Sequence, residues 1–270
     1  MAAQPQTAAT KSIRSIETST NDGKQKSKSF PEVFSVSLRL RGERCFPPVV
    51  TAEPRCYARI SHETTIMPSN DFIFWQVDVQ RDFMLPGGNL YVPGAEKLIP
   101  NIQRLTNAAK ENEVFLVSHG CFHSPNDPEF KIYPPHCVAG TSGSELLPEA
   151  LADRVARVPN EPTAKLPDDL SKFQQVLLEK QTLDIFQSLH AEELLRRLGD
   201  RPEFIVFGVV TEICVGFAAK GLLERKRRVA LVTDAIETLK REDGKKKLEE
   251  LQQLGARLIT TDEALSALRG

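Results

Sequence analysis

A thiol, a carboxylate and an amine, groups with which a protein can cleave an amide through a covalent intermediate, each close an apolar run in this sequence. Cys214 follows Phe-Ile-Val-Phe-Gly-Val-Val (204–210) after a short polar turn, and Val215, Phe217, Ala218, Leu222 and Leu223 then recur at roughly helical spacing. A thiol there would lie in the first turn of a helix, where unpaired N–H groups and the positive end of the helix dipole favour thiolate. A lone Cys is also a small hydrophobe suited to burial, and residues 204–225 by themselves fit either role. Asp78 ends the apolar run 72–77, and desolvation would raise its pKa toward that of a working base for the thiol proton. Lys180 ends the run 175–180 and would favour thiolate while balancing the charge of the pair. Taken singly, Asp78 also fits a loop or N-cap carboxylate, and Lys180 a solvated strand end.

A second group of reactive side chains lies between residues 119 and 145. Cys121 and His123 are two apart, so on a continuing strand they face the same side. Glu129 follows His123 by six residues and His136 follows it by thirteen, within Tyr133-Pro134-Pro135-His136-Cys137, where two prolines stiffen the backbone around the second imidazole. Thiolate, imidazole and carboxylate together suit a divalent transition metal, zinc or iron, better than magnesium or calcium. Loop histidines hydrogen-bonded to backbone are the other reading. Cys137 should face away from His136 and pack.

The elements that must position these groups are legible from periodicity and turn residues. Strands are expected over 72–78, 114–118, 175–180, 204–210, 228–234 and 257–260. Helices are expected between them over about 95–111, 190–198, 213–225 and 241–253, with a last helix capped by Thr261 or Asp262. This alternation predicts an α/β fold with a doubly wound, mainly parallel sheet. Ligands of such sheets bind beyond the carboxyl ends of the strands, where Asp78, the loop after Ser118, Lys180 and Cys214 fall. The segment 119–145 is long for a loop in a compact domain, which marks it as functional.

Composition excludes several classes. The chain has 270 residues, 40% of them hydrophobic, and a formal net charge of −1, which leaves no electrostatic footprint for nucleic acid or an anionic membrane. Its five cysteines, at 45, 56, 121, 137 and 214, form no Cys-x-x-Cys pair, so neither a zinc ribbon nor a disulfide framework is indicated and a reducing compartment is expected. No apolar run is long enough to span a bilayer. Residues 1–66 carry 10 Lys/Arg against 6 Asp/Glu and few large apolar residues up to Lys28, which predicts a disordered extension before a domain over 67–270. Short apolar pieces within 33–60 would at most form an isolated hairpin. A transit peptide and a spurious extension upstream of Met67 are the two readings of this segment; the expected location is cytoplasmic, with organellar targeting as the alternative.

The ordered residues carry a resemblance. Asp78-Val79-Gln80-Arg81-Asp82-Phe83, then His123, Pro134-Pro135-His136-Cys137-Val138-Ala139-Gly140-Thr141, Lys180, and Gly208-Val209-Val210-Thr211-Glu212-Ile213-Cys214-Val215 resemble the motifs of the isochorismatase-like cysteine hydrolases. Within these the chain is most similar to the nicotinamidases. The resemblance implies a Rossmann-like three-layer sandwich and an Asp-Lys-Cys triad: Asp78 as general base and later acid, Lys180 as electrostatic partner, and Cys214 as a nucleophile that forms a thioester. It further implies a cis peptide at Val209–Val210, with the N–H groups of Val210 and Cys214 forming an oxyanion hole. A metal bound by His123, His136, Glu129 and Cys121 would hold a pyridine nitrogen, with Phe83 and Tyr133 flanking the ring. Cys121 stands where nicotinamidases carry Asp, Glu129 where many carry a second His, and Arg81 where Asn is commoner. The implied activity is hydrolysis of nicotinamide to nicotinate and ammonia, within NAD metabolism and pyridine nucleotide salvage. Another small-amide or ureide hydrolase of the same superfamily, an isochorismatase-type hydrolase, and a catalytically silent binding or scaffold member are the alternatives. The expected partner is a small-molecule amide, with no nucleic acid or membrane, and a homo-oligomer is left open.

Overall fold

The structure is a computed structural model that describes residues 71–269. The expectations for residues 1–66 lie outside the described residues.

Seven parallel strands form one sheet: β1 (Phe72–Val77), β2 (Phe115–Cys121), β3 (Val155–Val158), β4 (Gln175–Lys180), β5 (Glu203–Val209), β6 (Arg228–Glu237) and β7 (Arg257–Ile259). Their order is β3-β4-β2-β1-β5-β6-β7. From central β1 the chain passes to β2, then to the edge strand β3, comes back to insert β4 between β3 and β2, and crosses to β1's other side with β5, β6 and β7. Strands β2 and β5 are buried along their whole length, as their largely apolar sequences favour when helices cover both faces. Three polar side chains inside this sheet form a ladder across β1, β2 and β4: Ser118 Oγ donates to Gln76 Oε1 at 3.0 Å, and Gln175 Nε2 donates to Ser118 Oγ at 2.6 Å.

The helices are α1 (Arg81–Met84), α2 (Ile99–Lys110), α3 (Ala191–Leu198), α4 (Gly216–Glu224), α5 (Arg241–Gln253) and α6 (Thr261–Ala267). Helix α2 packs on α6 and α4 packs on α5, each pair also reaching the sheet. In α2 the buried residues Ile102, Leu105 and Ala109 recur at three and four, the stripe an amphipathic helix lays on a sheet.

Four expectations are corrected. Val155–Val158 is an edge strand that the periodicity missed, because it spans four residues and exposes Arg157 outward. Strand β2 continues through His119, Gly120 and Cys121, so the long loop starts later. The segment expected as a helix over 213–225 opens with a π-type turn, Thr211–Val215, before α4. The cap of α6 is Thr260, not Thr261 or Asp262: its hydroxyl accepts from Glu263 N while the Glu263 carboxylate accepts from Thr260 N at 2.7 Å. Thr261 turns instead to Asp234 Oδ1, accepted there through both its N–H and its hydroxyl.

Gly208 fixes how closely the two central strands meet. It has φ of 120°, and a Cβ there would overlap the Val77 carbonyl oxygen on β1. The pairing of β5 with β6 also shifts register at this point. Gly208→Ala should destabilise the protein by more than about 3 kcal/mol in urea unfolding; a loss below about 1 kcal/mol would mean that β1 and β5 can separate at this point.

Candidate catalytic and metal site

The groups singled out in sequence converge at the carboxyl ends of four adjacent strands, β4, β2, β1 and β5. Cys121 and Lys180 are register partners across β2 and β4. Val77, which precedes Asp78, is flanked by His119 and Gly208. Lys180 is fully buried and its Nζ donates to Asp78 Oδ2 and to Cys121 Sγ, both at 2.9 Å, with Cys214 Sγ at 3.8 Å. Asp78 leaves β1 with φ of 51°, a left-handed conformation Asp tolerates better than most residues. Its other carboxylate oxygen faces His119 Nδ1 at 3.4 Å. Cys214 is 7% exposed against 0% for Lys180, so the thiol is the more accessible of the two.

The electrostatics reverse two expectations. Burial alone would raise the Asp78 pKa, but the Lys180 ammonium, His119 and the Cys214 thiol hold the carboxyl well below the usual carboxylate range. Burial and the Asp78 charge push the Cys214 thiol up, against the opposing effect of Lys180. Burial disfavours the charged form of Lys180, yet Asp78, Cys121 and Cys214 raise its pKa and keep it an ammonium. The resting site is therefore carboxylate, ammonium and thiol. Cys214 lies in the turn before α4 rather than in the helix's first turn, where the dipole argument had placed it.

Beside this trio, Cys121, His123 and His136 are all buried and offer one ligand atom each within 4.8 Å of one another. The histidine chemistry fits a metal. His136 Nδ1 lies 2.8 Å from the Pro134 carbonyl, which can only accept, so Nδ1 carries the proton and Nε2 is left with a free lone pair. His123 has both ring nitrogens buried without a hydrogen bond, and its Nδ1 lies 3.1 Å from Asp127 Oδ2, within ion-pair reach. A carboxylate on one imidazole nitrogen is the usual support for a metal on the other. Glu129 stands beside this group, 3.8 Å from His136 Nε2, but outside its compact three-residue core. Cys137 is buried and packs, its N–H donating to Asp82 Oδ2 at 2.7 Å.

Aromatic rings surround the histidines. Phe83 lies 5.3 Å and Tyr133 6.4 Å from the His136 ring. Phe130, which the sequence gave no reason to select, lies 5.4 Å from His123. Arg81 pairs with Glu145 at 3.5 Å, both well exposed. The Val209–Val210 peptide is cis. The Val210 carbonyl accepts from Ile213 N and Val215 N at 3.0 and 3.1 Å, which closes the turn that carries Cys214. Glu212 holds that turn from outside by accepting from Leu239 N and Lys240 N, both at 3.0 Å.

Sequence reading missed three supporting residues. Gln80 clamps the backbone of Cys121: its Oε1 accepts from Cys121 N at 2.8 Å and its Nε2 donates to Cys121 O at 2.6 Å. Gly120 permits this, since a Cβ there would come within 2.9 Å of the Gln80 amide. Asp127 had a usable signal in its spacing of four from His123, whereas His119 had none, being one more residue of a strand.

Comparison with known proteins places this geometry. The model of the isochorismatase domain matches residues 73–156 and 151–263. The nicotinamidase of Escherichia coli (strain K12) is 24% identical over 206 residues, covering 68% of this chain and 92% of that protein. The nicotinamidase of Acinetobacter baylyi is 27% identical over 174 residues, covering 58% and 77% respectively. The crystal structure of the pyrazinamidase of Pyrococcus horikoshii in complex with zinc superposes with a TM-score of 0.56 and 28% identity, over 70% of this chain and 99% of that one.

The buried pair of Lys180 and Asp78 makes a stability prediction. Lys180→Met or Asp78→Leu alone should each lose about 3–5 kcal/mol, because either leaves a buried charge unpaired. The double variant should lose less than the sum by at least about 2 kcal/mol; strictly additive losses in urea unfolding would show that the two charges are not coupled. Since the folded pKa of Asp78 is depressed, this stabilisation is present above the unfolded carboxyl pKa of about 4 and is lost as pH falls further.

Proposed function

The chain belongs to the isochorismatase domain family, and from that premise we propose that it is an amidohydrolase whose Asp78, Lys180 and Cys214 hydrolyse nicotinamide to nicotinate and ammonia. The observation that carries this reading is the buried ammonium of Lys180 set between Asp78 Oδ2 at 2.9 Å and Cys214 Sγ at 3.8 Å. The nicotinamidases of Escherichia coli and Acinetobacter baylyi support nicotinamide as the substrate.

The order of events in this reading follows from a site that rests as carboxylate, ammonium and thiol. Cys214 is a thiol, so its proton passes to Asp78 as sulfur attacks the carboxamide carbon. Lys180 remains cationic and stabilises the negative charge that moves from carboxylate to sulfur. The tetrahedral oxyanion takes the N–H groups of Val210 and Cys214. Asp78 returns the proton to the departing nitrogen, ammonia leaves, and a thioester to Cys214 remains. Water then gives a proton to Asp78 and adds to the thioester; collapse releases the acid and re-forms the thiol.

Cys121, His123 and His136 would hold one divalent transition metal, with Glu129 at its edge, and such an ion supplies a Lewis acid for a pyridine nitrogen. Phe83 and Tyr133 would flank the ring. Hydrolysis of nicotinamide would serve pyridine nucleotide salvage, and residues 67–270 would suffice for it. A ureide or another small amide would use the same three residues with a different pocket. A silent scaffold would not need the buried charges of Asp78 and Lys180. Among the described residues no helix is long and apolar enough to cross a membrane.

Ammonia release from nicotinamide, pyrazinamide and several ureides tests the reading. Nicotinamide should be hydrolysed fastest, and Cys214→Ala should reduce release by at least about a thousandfold. Equal release by both proteins would contradict the thiol mechanism, and preference for a ureide would move the substrate assignment within the family. Deletion of residues 1–66 should leave kcat/KM within about twofold.

A further inference from the structure

Cys121 stands where the two halves of the site meet. Its Sγ is one of the three buried ligand atoms of the His123 and His136 group and also accepts a hydrogen bond from Lys180 Nζ at 2.9 Å. Its backbone N–H and carbonyl are both held by the Gln80 amide, at 2.8 and 2.6 Å, so the sulfur's place is set by the turn between β1 and α1 as well as by β2. Both histidines are prepared to donate through Nε2, one by the Pro134 carbonyl and the other by the nearby Asp127 carboxylate.

We propose that Cys121 is a thiolate ligand and makes this a sulfur-containing metal site, selective for thiophilic ions such as zinc and cadmium over manganese. One thiolate and two neutral imidazoles are donors that zinc-class ions favour, whereas manganese prefers oxygen. Three protein ligands also leave one position of a tetrahedral ion open, as catalytic zinc sites do. Tetrahedral ligands at ordinary bond lengths stand about 3.3–3.8 Å apart, so a group already within 4.8 Å needs only a small contraction to close on an ion.

The sulfur has a second consequence. Lys180 donates to both Cys121 and Asp78, so the lysine that serves the catalytic pair also neutralises the metal-bound thiolate. An oxygen ligand placed here would keep the negative charge but lose the soft donor. The inference rests on the proposed metal site and not on the amide substrate, and its test contains no substrate.

The full chain, stripped of metal under reducing conditions, is titrated with Co²⁺ and followed by absorption. Wild type should bind one Co²⁺ with a near-ultraviolet thiolate-to-cobalt charge-transfer band, retained in Cys137→Ser and Cys214→Ser and lost in Cys121→Ser and Cys121→Asp. In direct competition, Cys121→Asp should reduce the preference for Zn²⁺ over Mn²⁺ by at least about tenfold. Bound Co²⁺ without that band in wild type, no stoichiometric Co²⁺ binding, or an unchanged preference in Cys121→Asp would overturn the proposal. Should the Cys121 variants fail to fold, ¹¹³Cd resonance of cadmium-loaded wild type decides: a shift in the range of one sulfur ligand supports it, and an all-nitrogen-and-oxygen shift refutes it. Amidase activity measured on the same preparations separates the two readings, since loss of one leaves the other standing.

Discussion

A single buried ammonium holds this site together. Lys180 is fully buried, and removing a charge from water in this way is unfavourable unless partners surround it. Asp78 and Cys121 accept from its Nζ and Cys214 lies within 3.8 Å, so one lysine draws the ends of β1, β2, β4 and the turn after β5 to a common point. The same contact explains the electrostatic reversal: Asp78 is depressed because its counter-charge is adjacent, and the Cys214 thiol is raised by burial and by the Asp78 charge. In the proposed mechanism, proton transfer from sulfur to carboxylate is therefore coupled to attack.

Strand order supplies the place for this arrangement. With β1 at the centre of β3-β4-β2-β1-β5-β6-β7, the chain reverses its winding direction beside β1, the point where a doubly wound sheet places its ligand site beyond the strand ends. Gly208 sets the approach of β5 to β1, and the Gln80 amide crosses Gly120 to reach Cys121. The proposed catalytic trio and the proposed metal ligands thus meet beyond the same strand ends, and Lys180 contacts both groups through Asp78 and Cys121.

Much of this was legible in the sequence because strands buried on both faces leave uninterrupted apolar runs, and the charged residues that end them stand out. Asp78 and Lys180 stand out in that way, Cys214 by its place just after such a run, and Cys121 with His123 by a spacing of two. Strand β3 was not legible, since an edge strand of four residues with one face exposed carries too little apolar pattern. The direction of the Asp78 shift was also hidden: burial was inferred correctly, but its effect depended on the distance to Lys180, which lies 102 residues away in sequence. Gln80, His119 and Asp127 act through geometry alone, and only the spacing of Asp127 from His123 left a trace.

The Cys214 thioester is the step from which everything else in the proposed chemistry follows. Acid quenching of the protein during turnover of nicotinamide, followed by digestion and mass spectrometry, reads it directly. A nicotinoyl group on the peptide that contains Cys214, absent when substrate is omitted, is the expected result. Steady ammonia release with that peptide unmodified at every quench time, under conditions that preserve thioesters, would contradict nucleophilic catalysis by Cys214.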